Sequence, residues 1–387
     1  MIRPTNGGGK QSNYGLPIGT LLCVQFPCSP CTSVFTVKRQ DNILGFLFAL
    51  AHNARDANKS TILYTKALDI CSFVQHKTIG NGGRLLLPIA AQDLPRLQKV
   101  FLTSGAVLGM KSSSAMAAVA AYFQAIELMI SPPSIYHGGG GYTTRELILA
   151  SFLAMFLLQP PKDDCLPSEL ARSLGLPENI SCPYLIESKY NLFEAVRNSG
   201  DQVLYAILRL GRGALPFMLL VPEQTIRLPS LLFPTSAGVF PAICLQEEDG
   251  QLQPPTESKR RDASLMTSTI LLALAKRYQD LPASAISLPG FNSTFNVNHA
   301  LSIMFYYLAL SLAPSPSTYN NMGIVLSTIL TTSTYTNPQG GQTILTGTSL
   351  AQIYYTAGLQ LDPAHPHLLT NLGSLYKDQG SLGEAIR

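Results

Sequence analysis

From Thr267 to the end of the chain, apolar residues recur every three or four positions, the spacing that puts them on one face of a helix. The pattern predicts helices at 267–280, at 300–312, from Pro316 through STYNNMGIVLSTIL, at 349–361 and from Pro366 through HLLTNLGSLYK, with another beginning in SLGEAIR. Small and bulky residues repeat at matching places within these runs. Leu274, Ala275 and Tyr278 in one helix correspond to Leu372, Gly373 and Tyr376 in a later one, and Met322 and Gly323 to Leu372 and Gly373. In the alternate helices Tyr306, Ala309 and Leu310 correspond to Tyr355, Gly358 and Leu359, with Pro314 and Pro363 following. Two kinds of helix therefore alternate, which predicts an all-α chain built of stacked helical hairpins.

That alternation resembles the tetratricopeptide repeat, a helix–turn–helix unit of about 34 residues. With Pro366 as its first position, Asn371, Leu372 and Gly373 fall sixth to eighth, Tyr376 eleventh, Gly380 fifteenth and Ala385 twentieth. Gly373 and Ala385 are expected where two helices touch, and Leu372 and Tyr376 where the gap between helices is filled. Gly380 is expected at the turn, where a positive φ suits only glycine. Asn321, Met322 and Gly323 repeat the Asn371–Gly373 triplet. The last unit stops inside its second helix, so the rest of the array is expected beyond Arg387, because a repeat stack needs a finished terminal unit. Two units are stretched: Gly323 and Ala351 lie 28 positions apart, against 12 for Gly373 and Ala385. The extra TTSTYTNPQGGQTILTGT is polar and Gly-containing and is expected to be an inter-helix loop, partly disordered. Leu281–Asn298 is expected to be a second such loop. Loops of this kind collect on one face of a solenoid, where they can bind a partner or simply be surface slack.

The pattern weakens toward the N-terminus. Residues 1–40 are rich in Gly, Pro and Ser and read as a flexible lead-in; 41–245 read as a divergent helical region; 246–262, QEEDGQLQPPTESKRRD, read as a linker; and 263–387 hold the repeats. Helix-like stretches at 42–54, 60–74, 92–103 and 114–130 suggest further hairpins, with Tyr122, Ala125 and Ile126 at the spacing of the second helix type. An unrelated helical hairpin fits these stretches as well. Helices are also predicted at 144–158, 167–174, 187–198 and 202–210, and Pro-punctuated irregular structure with a short strand at 213–255.

Charged residues are only 13% of the 387, against about 25% in ordinary domains, while hydrophobic residues are 46%. This excludes a disordered regulator and leaves apolar faces thinly protected. A net charge of +4, scattered along the chain, argues against nucleic acid as a partner. The longest apolar run, Leu147–Leu158, falls short of the roughly 20 residues a membrane span needs. The N-terminus lacks the apolar core of a secretory signal, and the seven cysteines form no disulfide framework, so a reducing cytoplasmic or nuclear compartment is expected.

Catalytic and metal-binding patterns are weak. Cys28-Ser-Pro-Cys31 has no second pair to complete a four-ligand zinc site. Gly7-Gly-Gly-Lys10 lacks phosphate-loop spacing, the Gly138–Gly141 tract is not a dinucleotide fingerprint, and no Gly-x-Ser-x-Gly elbow occurs. His365 and His367 are expected at the surface rather than as ligands. The sequence assigns no catalytic residue, no metal and no cofactor to this chain. Its chemistry points to binding. Asn321 and Asn371 are expected in the groove of the stack, where one amide offers both an acceptor and donors to a peptide backbone without reading its sequence. Ser317, Asn320, Ile324, His367, Thr370 and Ser374 surround them, and none is the lysine or arginine that would clamp a terminal carboxylate.

The run LTNLGSLYKDQGSLGEAIR, preceded by GLQLDPAHP, resembles the repeat region of protein O-linked N-acetylglucosamine transferases (glycosyltransferase family 41), and LYAILRLGRGALPFMLLVPEQ resembles the N-terminal part of fungal members. The resemblance covers mainly 265–387. It implies a superhelix that presents substrate peptides along an asparagine ladder, carried here by Asn321 and Asn371. It also implies a UDP-GlcNAc-dependent catalytic domain after the repeats, of which this chain contains nothing. A free-standing scaffold joining other proteins is the alternative, and an independent enzyme within residues 40–260 a third reading. Partners are expected to be proteins or peptides in the groove.

Overall fold

A computed structural model describes residues 144–158, 165–182, 192–210, 219–234, 246–248, 251–253, 256–282, 285–286, 295–330, 332–336 and 340–386, with single positions elsewhere between 59 and 185. The expected lead-in at 1–40, the helices at 42–54, 60–74 and 92–103, the Cys28–Cys31 pair and the Gly138–Gly141 tract lie outside or almost wholly outside the described residues. Residues 74–387 form one compact unit and 1–73 another; all that follows concerns the first.

Helix dominates the described residues. In chain order the helices are α1 (Thr144–Leu158), α2 (Ser168–Ser173), α3 (Leu192–Ser199), α4 (Asp201–Leu210), α5 (Pro222–Thr225), α6 (Leu228–Leu232), α7 (Glu257–Asp280), α8 (Val297–Leu312), α9 (Pro316–Ser327), α10 (Gly347–Leu361), α11 (Pro366–Asp378) and α12 (Leu382–Ile386). The strands are β1 (Gln246–Glu248), β2 (Gln251–Gln253), β3 (Ala285–Ile286), β4 (Phe295–Asn296), β5 (Thr332–Thr336) and β6 (Gln342–Thr346), which pair as three separate two-stranded antiparallel hairpins.

The core centres on α8. Its sequence, VNHALSIMFYYLALSL, carries no Asp, Glu, Lys or Arg, and every residue from Ser302 to Leu310 is buried. A helix that is apolar all round must be covered on all sides. Helices α7 and α9 pack along it, and α5 and α6 add further cover. The Ser268 hydroxyl donates to the Ala309 carbonyl at 2.7 Å, and Tyr306 donates to Gln279 Oε1 at 2.8 Å. Tyr278 stacks on Phe305 with ring centroids 5.8 Å apart, and Phe123 packs on both rings. Helices α9 and α10 form the next antiparallel pair, and α11 packs on α10 with α12 folded back against it. Gly380, at φ +76°, makes the α11–α12 turn, as its place in the sequence predicts.

Several expectations change. The loop expected at Leu281–Asn298 holds the paired strands β3 and β4, with α8 starting at Val297, and the stretch expected to be irregular at 213–255 holds α5 and α6. Within the insert at 331–348, Thr332–Thr336 and Gln342–Thr346 pair as a β-hairpin, from Thr332↔Thr346 to Thr336↔Gln342. It runs directly into α10 through a capping box in which the Thr346 hydroxyl accepts from Ser349 N–H and the Ser349 hydroxyl accepts from Thr346 N–H. Its β-branched content (five threonines and an isoleucine within the two strands) outweighs the polar character that suggested a loop. The expected linker at 246–262 holds the β1–β2 hairpin, and α7 begins at Glu257, inside it. Nor does that segment divide two packed bodies. Leu219–Val221, Leu228 and Leu231–Phe233 are buried, and the segment is tied to the later helices: Leu220 N–H donates to the Tyr307 hydroxyl at 3.0 Å, and the Tyr354 hydroxyl donates to the Leu220 carbonyl at 2.8 Å.

The rest of the described unit supports that segment. Helix α1 is buried from Leu149 to Leu158 and packs against α3, α4 and α6. Gln224 links it onward, donating to the Leu158 carbonyl at 3.1 Å while accepting from Val221 N–H at 3.1 Å. Exposed ion pairs, Arg145–Asp201 and Arg209–Glu169, line the outer surface here, beside the half-buried Arg197–Glu146. Pairs this exposed contribute little to stability.

Candidate functional site

Helices α9 and α11 start alike. Pro316 and Pro366 occupy the first turn, where a missing N–H costs nothing. Ser315 and His365 precede them as caps: the Ser315 hydroxyl accepts from Thr318 N–H at 3.2 Å and His365 Nδ1 from Leu368 N–H at 3.3 Å. His365 is therefore a cap, and its ring meets that of His367 edge-on at 5.8 Å. The two helices touch each other directly, beside their contacts to α10.

Between them the amides meet. Asn371 Nδ2 donates to Asn320 Oδ1 at 2.8 Å. Asn320 is only 7% exposed, whereas Asn371 and Asn321 are half-buried. The pairing partner of Asn371 is thus Asn320, the residue before Asn321, which was expected beside Asn371 in the groove. This bond uses one donor of Asn371 and one acceptor of Asn320, and leaves Asn371 Oδ1 and a second Asn371 N–H available to a ligand. Ser317, His367, Thr370 and Ser374 are exposed on the same two helices, with Ile324 at the end of the stripe. No charged residue occurs on α9, and those of α11 are Lys377 and Asp378 in its last turn. In the shared register Asn371 corresponds to Ala273 on α7, so the amides belong to α9 and α11 and do not continue there.

The packing residues named from the sequence fall into two groups. Leu274, Ala275, Met322, Gly323, Tyr355 and Gly358 are buried, as their roles require, and Tyr278 is half-buried within its aromatic cluster. The second group is looser. At Gly373 the nearest atom to an added Cβ is the Ala385 carbonyl oxygen at 3.4 Å, an ordinary distance, and Leu372, Tyr376 and Ala385 are half-buried. The buried side chains of α11 are Leu368 and Leu375, because α12 is short and covers little. The close glycine contact lies one unit earlier: a Cβ on Gly323 would sit 2.6 and 2.7 Å from Tyr355 Cδ1 and Cζ.

Two features escaped the sequence reading. A Cβ on Gly105 would lie 2.7 and 2.8 Å from Tyr122 Cζ and Cδ1, which repeats the Gly323–Tyr355 contact some 200 residues earlier in the chain. The other is the pair of buried hydroxyls on Leu220. Tyr307 and Tyr354 neighbour Tyr306 and Tyr355, so the Tyr-Tyr doublets were its only signal. Burial raises both phenol pKa values above the usual range, and burial likewise pushes Tyr278 and Tyr355 up to about 12. All four rings are neutral donors or acceptors at ordinary pH.

Among the described residues no group of three or more His, Cys, Asp or Glu side chains could hold a metal, and no helix is long and apolar enough to cross a membrane. Comparison of the sequence with models of protein families and with curated proteins finds no significant match.

Proposed function

We propose that residues 257–386 are tetratricopeptide-type hairpins that hold an extended segment of another protein along α9 and α11. The observation that carries this reading is the Asn371–Asn320 amide pair, with Asn371 half-buried beside the uncharged, exposed Ser317, His367, Thr370 and Ser374. A peptide backbone needs one acceptor and one donor per residue, and a half-buried amide whose orientation is already set by a neighbour offers both at little entropic cost. The repeat assignment is supported by the alternation of helix types and by the recurrence of a glycine under a tyrosine ring at Gly323–Tyr355 and Gly105–Tyr122. The resemblance of 265–387 to protein O-GlcNAc transferases extends the proposal: the stripe presents acceptor peptides to a UDP-GlcNAc-dependent catalytic domain outside this sequence.

The test separates the two levels. Asn320→Ala with Asn371→Ala should weaken anisotropy-measured binding of fluorescent, uncharged Ser/Thr-rich peptides roughly tenfold, the equivalent of one or two neutral hydrogen bonds, with helix content unchanged. Equal affinity rules out the stripe as the groove. An immunoblot of source cells against 265–387 addresses the enzyme. A band far above 41.8 kDa that transfers GlcNAc supports it, and a band at 41.8 kDa leaves a binding scaffold.

A further inference from the structure

From Leu281 to Leu361 the chain contains no Asp, Glu, Lys or Arg, a run of 81 residues. Burial explains this for α8. It does not explain the β5–β6 hairpin, whose residues Gln342, Thr343, Ile344 and Thr346 are exposed, Ile344 by 69%. At the foot of the hairpin Leu330 is 97% exposed. β6 pairs with β5 on one side and with no other strand among the described residues; Ser349 engages the N–H and C=O of Thr346, and the backbone edge ahead of it, Gln342–Leu345, is open to a further strand. Natural edge strands are usually blunted with lysine, proline or a bulge. β6, QTILT, has no charge and no proline, and its five residues pair with β5 in unbroken register.

We propose that the β6 edge pairs with the same edge of a second copy of this chain, antiparallel about a two-fold axis at Ile344, joining two hairpins into a four-stranded sheet. An isologous contact places a strand against itself, so any charge near the axis meets its own sign. A charge-free strand is what such pairing requires, whereas a partner of another sequence would leave β6 free to carry complementary charges. The strand is odd in length, and Ile344 is its middle residue. In this register Ile344 faces Ile344 of the second copy, Gln342 faces Thr346, and Thr343 faces Leu345. The exposed isoleucines then cover each other, and β-branched cross-strand pairs of this kind are favourable. Four strands also relieve the marginal stability of a two-stranded sheet. A single five-residue strand pair is smaller than the ~1,000 Å² expected of a stable interface, so the dimer forms and dissociates with concentration.

Sedimentation of the full chain from about 1 μM to about 500 μM, the span in which a weak interface dissociates, tests this. The mass of the wild-type chain should rise from one copy toward two. Ile344→Lys and Gln342→Lys, both at exposed positions, should stay at one copy with unchanged circular dichroism. Gln360→Lys, exposed on α10 away from the hairpin, should still dimerise. A wild type that stays at one copy throughout overturns the proposal, as does dimerisation of Ile344→Lys equal to wild type.

Discussion

Helices α9 and α11 share an Asn-x-Gly triplet, and the two glycines, Gly323 and Gly373, should respond in opposite directions to the same substitution. Gly→Ala inside a helix gains about 1 kcal/mol from backbone entropy and propensity. At Gly323 that gain meets a steric cost. The new Cβ would stand 2.6 and 2.7 Å from ring carbons of Tyr355, where carbon atoms prefer about 3.5–4.0 Å. The ring must retreat by roughly 1 Å. It has little room to do so, because Tyr355 is buried and its neighbour Tyr354 is tied to the Leu220 carbonyl. Overpacking of this kind costs about 1–3 kcal/mol, and a ring held in place lies toward the upper end. Gly323→Ala should therefore destabilise by about 1–2 kcal/mol net. At Gly373 the nearest atom is 3.4 Å away, so the propensity gain prevails and Gly373→Ala should stabilise α11 by up to about 1 kcal/mol. Urea unfolding followed by far-UV circular dichroism reads both effects, and hydrogen exchange on α9–α10 and on α11 localises them. Adding Tyr355→Leu to Gly323→Ala should show a favourable coupling of about 1 kcal/mol, because the smaller side chain makes room. A neutral or stabilising Gly323→Ala, or the same sign at both glycines, would refute the contact on which this rests.

Two further outcomes are expected. Tyr307→Phe removes the acceptor of Leu220 N–H and Tyr354→Phe the donor to its carbonyl; each should cost about 1–3 kcal/mol, measured by denaturant unfolding, and accelerate exchange of the Leu220 amide in the first case. Burial pushes the Tyr278 and Tyr355 hydroxyls to about 12, above the value of about 10 for an unfolded chain. Their stabilising effect is complete below pH ~10 and is lost as pH rises through ~12, because the unfolded chain releases these protons first. The urea midpoint should fall across that window as tyrosinate absorbance grows, and a midpoint constant to pH ~12 would contradict the burial of these rings.

What could be read from the sequence depended on where the deciding contact lay. α8, α9, α10 and α11 were legible because each is set by its own apolar spacing and by a proline or cap one turn away. Gly380 was legible because a short turn between two helices demands a positive φ. The β5–β6 hairpin was missed because threonine is both a polar loop residue and a good strand residue, and only pairing across the turn decides between them. The Gly373 contact was overestimated because the register names a position but not how much of the following helix covers it. The place of Asn371 on α11 was legible, yet its hydrogen-bond partner was not, since Asn320 and Asn321 differ only in the angle at which they leave α9. The Tyr307–Leu220–Tyr354 bonds join residues some 90 and 130 positions apart, and no local pattern records them.

Folding accounts for only part of the neutrality of residues 281–361. Folding requires α8 to be neutral, because α7, α9 and the Leu219–Leu232 segment enclose it, and a charge there would be desolvated without a partner. It makes no such demand on Ser317, Thr343, Ile344, Thr356 or Gln360, which are exposed. In α1–α4 of the same unit, exposed positions carry Arg145, Arg197, Asp201 and Arg209, so a buried helix core and a charged outer surface coexist there without conflict. The outer positions of α9, β6 and α10 could have followed that pattern at little cost, since surface substitutions usually change stability by less than about 0.5 kcal/mol. Charge is also what interface cores characteristically lack. Enclosure thus accounts for the absence at α8, and at the amide stripe and the β6 edge the absence is what the proposed contacts with other protein chains require.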